Sequence, residues 1–356
     1  MFKGLLILSL CLIICCGMCG CNQSQSVEKQ SNKAADASDF EYIIENNEVT
    51  ITKYIGKSEE VVIPTIIKKK IVTAIGESAF KDYRSLKSVT IPDSVTRIDN
   101  EAFSRCTSLE SITIGKNVTD IRFEVFNGCG SLSSIILPDN LKYIGYSAFS
   151  YCKSLTSIKI PEGVYEIGGA AFKECSSLES AIMGPNVKTI SSGAFNNCRS
   201  LKNIILPDSV EKIDEFVFMG CTSLESINIG GNVTEIGQAA FYQCSSLINI
   251  VIPDNVTQIG KNIFWECTSL KSVVIGNGIT QIGEWSFYNC SKMTDVVIGN
   301  SVEAIGDSAF LNCSSISNIN IPDSIIKIEN DAFSRCTSIP EYIKERILQI
   351  NPGARI

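Results

Sequence analysis

Apolar residues recur along this chain with a period of 23 residues. Phenylalanine marks the period most clearly, because it returns twelve times at this interval without insertion. The twelve residues are Phe80, Phe103, Phe126, Phe149, Phe172, Phe195, Phe218, Phe241, Phe264, Phe287, Phe310 and Phe333. Counted from each Phe, position 6 is Leu, Met or Ile, position 15 is Val, Ile or Leu, and position 18 is Ile. The period predicts a solenoid, in which each repeat forms one coil and buries its apolar side against its neighbours.

Positions 8 to 12 of each repeat predict a short β-strand. Positions 9 and 11 are mostly Ile or Val, as at Ile112 and Ile114, whereas positions 8 and 10 differ from them. Side chains that alternate in this way lie on opposite faces of a strand. Pro or Gly at position 12 then ends the strand and turns the chain.

The repeats read L-x-x-I-x-I-P/G-x-x-V-x-x-I-G-x-x-A-F-x-x-C, and over residues 76–339 this pattern resembles the BspA-like class of leucine-rich repeats. The resemblance implies a leucine-rich repeat solenoid of about 12 repeats, curved and right-handed. It implies a parallel β-sheet on the concave face and irregular or short helical segments on the convex side. It also implies a cell-surface protein that binds other molecules, but no particular ligand, because the matched residues are scaffold residues.

Cysteine occupies position 3 in eleven of the twelve repeats, from Cys106 to Cys336, and Tyr83 replaces it in the first. Stacked coils would bring neighbouring cysteines close enough for disulfides, but an odd number leaves at least one unpaired. A metal site is the less favoured alternative, because the repeat cysteines form no C-x-x-C pair and the chain has no histidine. The pattern favours a small buried thiol between apolar anchors.

The chain begins with MFKGLLILSLCLIICCGMCGC, an apolar run of about 18 residues that ends in small residues. This composition favours a signal peptide, 1–20, over a transmembrane anchor. The tetrapeptide Met18-Cys19-Gly20-Cys21 resembles a bacterial lipobox, which implies lipidation of Cys21; a plain secretory signal is the alternative. Residues 21–38 are polar and predict a flexible tether. We therefore expect an exported protein, anchored by its N-terminal lipid to the cell membrane and facing outside.

Atypical units are predicted at both ends of the array, since the terminal coils of a solenoid must be shielded. Residues 39–75 form the expected N-terminal cap, with a hairpin around Asn46-Asn47 and a degenerate first repeat that carries five additional residues after Ile63-Pro64. Residues 340–356 form the expected C-terminal helical cap. Its apolar residues are Tyr342, Ile343, Ile347 and Ile350.

Composition argues against several functions. The chain has 31 basic and 38 acidic residues, a net charge of −7, and no basic stripe of the kind that nucleic acid requires. Without histidine it has no Ser-His-Asp or Cys-His site. Acidic residues that follow the turn Pro, such as Asp93 and Asp254, are better explained by turn formation than by catalysis. We expect a monomer that is not an enzyme and needs neither cofactor nor metal.

Two sets of variable positions are candidate ligand-binding surfaces. Position 1 becomes apolar in five consecutive repeats, which predicts an exposed aromatic ladder roughly 20 Å long that suits sugar rings or apolar side chains. The ladder consists of Met219, Tyr242, Trp265, Tyr288 and Leu311. Position 10 predicts an apolar stripe along the concave sheet, bordered by Ser, Asn and Asp at position 8. The stripe consists of Ile136, Lys159, Ile182, Ile205, Asn228, Val251, Val274 and Val297.

Each surface also has a purely structural explanation. The ladder residues would pack on one another, and β-branched residues are favoured on any open sheet. The sequence favours a non-catalytic adhesion protein that recognises an extracellular protein. A carbohydrate-binding module that uses the aromatic ladder is the alternative, and a structural spacer is a third hypothesis.

Overall fold

The computed structural model describes residues 33–356. The predicted signal peptide, 1–20, the lipidation site Cys21 and most of the predicted tether lie outside the described residues. Within the described range the chain forms a parallel β-solenoid of about twelve coils of 23 residues, as the sequence predicts.

The coils form two rows of short parallel strands, and the coil of Ile136 joins the first row only through an isolated bridge to Thr113. The first strand row comprises Glu60–Val62, Ser88–Thr90, Ser111–Thr113, Ser157–Lys159, Ser180–Ile182, Asn203–Ile205, Ser226–Asn228, Asn249–Ile252, Ser272–Ile275, Asp295–Val297 and Asn318–Ile319. The second strand row comprises Arg97–Ile98, Asp120–Ile121, Tyr143–Ile144, Glu166–Ile167, Thr189–Ile190, Lys212–Ile213, Glu235–Ile236, Gln258–Ile259, Gln281–Ile282, Ala304–Ile305 and Lys327–Ile328. In both rows each residue pairs with the residue 23 places further on, as Ile204 does with Ile227, except that Glu60–Val62 pairs with residues 28 places further on.

The second strand row was not predicted from the sequence. The family resemblance implied irregular or short helical segments on the side away from the sheet, yet residues 76–339 contain no helix. Turns and the second strand row make up the remainder of each coil. Ile at position 18 is buried in every coil except that of Ile259, which is half-buried, and this burial explains why Ile recurs at the position.

The twelve Phe side chains form one continuous buried column, and none is more than 2% exposed. Ring centroids in neighbouring coils lie from 4.9 to 5.8 Å apart. The planes of neighbouring rings differ by at most 22°. The spacing between strands is about 4.8 Å, so a column of one ring per coil produces offset-stacked aromatic pairs without further adjustment.

Residues in the left-handed backbone region flank the Phe of most coils. In the coil of Phe195 they are Gly193, with φ +65°, and Asn197, with φ +58°. This alternation turns backbone N–H groups towards the next coil, where Phe195 donates to the carbonyl of Val217 at 3.0 Å and Asn197 donates to that of Met219 at 2.7 Å. A left-handed residue other than Gly, such as Asn197, costs about 1–2 kcal/mol, and the bonds between coils offset this cost.

All eleven repeat cysteines are buried and free. Each thiol donates a hydrogen bond to the backbone carbonyl of the Phe in the preceding coil, and the S···O distances range from 2.9 to 3.2 Å. Burial raises the pKa of every one of them, to about 12 for Cys106. The position therefore favours a small side chain that also carries a hydrogen-bond donor. The sequence did not predict this hydrogen bond.

Replacement of one thiol tests this role. In the wild type the Cys198 sulfur donates to the Phe172 carbonyl at 3.1 Å. Cys198→Ala removes both volume and donor, whereas Cys198→Ser retains a donor but buries a more polar group, so each is expected to lower the free energy of unfolding by about 1–2 kcal/mol. Denaturant titration measures both values. A neutral result for both variants would contradict the role of the buried thiol.

Two hairpins build the N-terminal end of the solenoid. Strand Phe40–Glu45 pairs antiparallel with Glu48–Tyr54 around Asn46-Asn47, whose φ values of +49° and +70° suit a two-residue turn. The second hairpin, Ile66–Ile67 with Lys70–Ile75, turns at Lys68-Lys69. This hairpin accounts for the five additional residues of the first repeat.

The predicted tether extends too far in one respect. Its boundary was placed at residue 38, but the Ala35 N–H donates to the carbonyl of Val62 at 2.9 Å. A 3-10 helix, Ala37–Asp39, then leads into the first strand. Contacts with the folded array therefore begin before residue 38.

A single α-helix, Glu341–Ile350, lies at the C-terminal end of the described range. Its Ile343 and Ile347 are buried against the core, whereas Tyr342, which was expected to help cover the last coil, is exposed. Ile343 and Ile347 are four residues apart in this helix, so they lie one turn apart on the same face. Among residues 33–356, no helix has the length and apolarity needed to cross a bilayer.

Candidate functional site

The apolar stripe at position 10 is exposed along the first strand row. Exposure of its Ile and Val side chains ranges from 38% at Val274 to 86% at Ile136. Lys159 and Asn228, which occupy the same position in two coils, are also exposed. The position 9 side chains, such as Ile204, are buried because successive residues of a strand point to opposite faces. The structure thus assembles the sequence-predicted residues of the stripe on one open sheet face.

Polar side chains at position 8 border the stripe and bond to one another along the array. Ser226 donates its hydroxyl to the Asn203 amide oxygen at 3.0 Å. Ser272 donates to Asn249 in the same way at 2.7 Å. These bonds between neighbouring coils orient the border and leave a defined set of donors and acceptors beside the apolar stripe.

The aromatic ladder differs from its predicted form. Its five residues are half-buried, because neighbouring rings cover one another. The ring centroids of Tyr242 and Trp265 lie 5.8 Å apart, with an interplanar angle of 16°. Those of Trp265 and Tyr288 lie 4.1 Å apart. A sugar ring binds to an exposed aromatic face, and here the faces are turned largely towards each other.

Trp285 joins this cluster and was missed by the sequence analysis. Its ring centroid lies 5.1 Å from that of Trp265 and 5.3 Å from that of Tyr288. It stands two residues before Phe287, a position that is mostly small or polar in other repeats. Phe216 is the only other aromatic residue at that position. The appearance of Trp at a position that is mostly small or polar was the signal that could have identified Trp285. Trp285 completes a packed cluster of four rings.

The turn acids have the structural role expected for them. The Asp93 carboxylate accepts the Lys116 backbone N–H at 3.0 Å, and this bond, with the Lys116 ammonium, lowers the pKa of Asp93. In the same way Asp254 accepts the N–H of Asn277 at 2.7 Å. The Asn117 amide donates to the Asp93 carbonyl at 2.7 Å. Within the described range, acidic and cysteine side chains do not gather in groups of three or more around a potential metal position.

Comparison with known proteins places these features in a family. Residues 73–202, 166–293 and 257–352 match the model of the BspA type leucine rich repeat region. A leucine-rich repeat protein from Bacteroides ovatus is 30% identical, with a TM-score of 0.67, and the match covers 91% of this chain and 98% of that one. A leucine rich cell surface protein from Faecalibacterium prausnitzii is 29% identical, with a TM-score of 0.56, and the match covers 87% and 94%.

No curated protein sequence matches the chain. The family model nevertheless accounts for most of its length, including all twelve Phe residues of the buried column. The chain therefore belongs to the BspA-type leucine-rich repeat family.

Proposed function

We propose that this protein is a non-catalytic cell-surface protein that binds a protein ligand through the first strand row. The exposed apolar stripe at position 10 carries the proposal. From Ile136 to Val297 it spans seven coil intervals, or roughly 34 Å at the strand spacing, with Lys159 and Asn228 as its two polar members. Exposed apolar side chains that recur in six of eight successive coils favour an interaction site.

The chemistry of the stripe favours a protein over a glycan. Its exposed residues are aliphatic, as at Ile182 and Ile205, and therefore present no aromatic face to a sugar ring. Aliphatic side chains surrounded by hydroxyl and amide groups resemble the apolar centre and polar rim of a protein interface. The bonded position 8 side chains supply that rim, since Ser226 and Asn203 retain unused donor and acceptor capacity.

The surface location rests on two supports. The related Faecalibacterium prausnitzii protein is described as a cell surface protein. In this chain, Met18-Cys19-Gly20-Cys21 has the form of a lipidation signal. We propose that Cys21 carries the lipid and that the polar residues after it hold the solenoid away from the membrane.

A lack of catalysis also agrees with the side-chain chemistry. The chain has no histidine, and burial raises the pKa of all eleven repeat thiols, so that none is a reactive thiolate near neutral pH. At two of the turns, the carboxylates of Asp93 and Asp254 accept backbone N–H groups of the next coil.

A charged variant of the stripe tests the proposal. Ile205→Lys/Val251→Lys places two ammonium groups in the centre of the surface, where a bound protein would have to desolvate them. Binding of the full-length protein to an array of extracellular-matrix proteins is expected to weaken at least about 100-fold. Affinity for each retained protein is then measured by titration.

Ile326→Lys is the matched control. Ile326 is 77% exposed, close to the 78% of Ile205, but it lies beside the second strand row. This variant should bind as the wild type does. Equal binding by the wild type and the double variant would remove the first strand row as the ligand-binding surface.

A further inference from the structure

An open groove lies between Tyr146 and Phe216, away from the first strand row and in the coils that precede the aromatic ladder. Its volume is about 430 Å³, within the usual range for small-ligand sites. None of its lining residues belongs to the first strand row or to the aromatic ladder. Tyr146 is 52% exposed at one end of the groove. The groove is therefore a distinct feature of the solenoid surface.

The Tyr146 ring is the last member of an interrupted stack. On one side it stacks on Phe123, with ring centroids 5.7 Å apart and planes within 9° of parallel. The residues that would continue the stack in the next two coils are Gly169 and Ser192. A Cβ atom at residue 169 would lie 3.2 Å from Cδ2 and 3.4 Å from Cε2 of Tyr146. Glycine thus allows the Tyr146 ring to lie against the backbone at residue 169, where a larger residue would crowd it, and the ring remains 52% exposed.

Small residues on either side of these two positions widen the gap. Ala170 and Gly193 follow them in the chain and also line the groove. Neither Gly169 nor Ser192 supplies a ring, so the space between Tyr146 and Phe216 remains open. Its volume of about 430 Å³ is sufficient for a ring-shaped unit beside Tyr146.

Polar groups without partners line the sides of the groove. Among residues 33–356, the Lys173 ammonium and the Asn196 amide make no side-chain hydrogen bond or ion pair, although both side chains are half-buried. The Ser192 hydroxyl adds a further group that both donates and accepts. Asp214 supplies a carboxylate at the far end, where the Lys212 ammonium lies 3.0 Å away. The groove therefore offers donors and acceptors around an aromatic face.

We propose that this groove binds a pyranose unit of a glycan, with the apolar face of the sugar on Tyr146. A pyranose ring combines one apolar C–H face with hydroxyl groups around its edge, and the groove provides the complement of each. An apolar or aromatic side chain of a protein would also cover the ring. It would, however, leave Lys173 and Asn196 half-buried and without partners, which is unfavourable. The site is independent of the protein-binding surface proposed above.

The test uses full-length protein, purified in a detergent that contains no sugar, on an array of pyranose-containing oligosaccharides. Affinity for each retained glycan is then measured by titration. Tyr146→Ala removes the stacking face, and Ser192→Tyr places a ring in the groove. Each variant is expected to weaken binding at least about tenfold, while its thermal melt by circular dichroism stays close to that of the wild type.

Two controls make the outcome specific. Tyr165→Ala removes a tyrosine that is 51% exposed, almost the same as Tyr146, but lies outside the groove, and it should bind glycan as the wild type does. The stripe variant Ile205→Lys/Val251→Lys should also retain glycan binding, so that failure of one proposal is distinguishable from failure of the other.

Three results would overturn the assignment. The first is a wild-type protein that retains no glycan on the array. The second is glycan affinity that is unchanged in both Tyr146→Ala and Ser192→Tyr. The third is a groove that binds proline-rich or aromatic peptides, loses them in Tyr146→Ala, and shows no affinity for sugars.

Discussion

Raising the pH from about 8 to about 10 is expected to unfold the solenoid, because its buried thiols must remain protonated in the folded state. Burial raises the pKa of all eleven above their ordinary value of 9.0, to about 12 for Cys106, Cys221 and Cys336. In the unfolded chain the same thiols ionise near the ordinary value. The unfolded state then holds fewer protons than the folded state, so stability falls as the pH rises through 9.0 towards 12.

The size of this effect comes from the number of thiols. Between pH 8 and pH 10 each one contributes a total loss of about 1.4 kcal/mol, and eleven together contribute about 15 kcal/mol. That sum matches or exceeds the whole free energy of unfolding of a typical domain, about 5–15 kcal/mol. At pH values below the ordinary pKa the thiols are protonated in both states. Lowering the pH therefore does not change the contribution of the thiols to the free energy of unfolding.

Circular dichroism during alkaline titration measures the transition, and return to neutral pH tests reversibility. The matched control is Cys198→Ala/Cys221→Ala/Cys244→Ala, which retains eight of the repeat thiols. Between pH 8 and pH 10 its free energy of unfolding is expected to fall by about 4 kcal/mol less than that of the wild type. Identical slopes in the two proteins would show that other groups, such as lysines or tyrosines, cause the alkaline loss.

Phe195→Ala is expected to lower the free energy of unfolding by about 3–5 kcal/mol. The Phe195 ring is fully buried and stacks on Phe172 and Phe218, with centroid distances of 5.3 and 5.8 Å. Its removal leaves a cavity and ends two stacked contacts at once. Because each coil contacts only its neighbours, the loss is concentrated at one point in the middle of the array.

Denaturant unfolding followed by circular dichroism measures the cost of Phe195→Ala. We expect a lower midpoint and a broader transition, since the halves on either side of the cavity become less coupled. Phe123→Ala is the matched control, because Phe123 is 41% exposed, and it should cost less than about 1 kcal/mol. Equal costs for the two variants would mean that the buried column contributes no more than a surface pair.

The repeat pattern was sufficient to predict the coil, its length and its buried positions. A repeat of 23 residues without insertion places each residue beside its own equivalent, so that one register satisfies every coil at once. Phe195, Cys198 and Leu201 are all buried, as their recurrence predicts. The alternation at positions 8 to 11 was sufficient to predict the first strand row and the exposed side chain of Ile205.

Other features depend on contacts that no local pattern encodes. The second strand row has two residues per coil, as at Lys212–Ile213, and a strand of two residues shows no alternation. The hydrogen bond from each thiol to a carbonyl joins residues 26 places apart, as for Cys198 and Phe172. The turn at Lys68-Lys69 requires two left-handed residues that are neither Gly nor Asn.

The candidate sites also differ in whether the sequence was sufficient to predict them. Exposure of the apolar stripe follows from strand alternation alone, and the sequence was sufficient to predict it. Trp265 is half-buried because the rings of Tyr242, Tyr288 and Trp285 pack against it, and this packing depends on contacts between neighbouring coils. The groove beside Tyr146 arises where small residues in two successive coils interrupt a stack, and only the stacking of coils turns those absent side chains into a cavity.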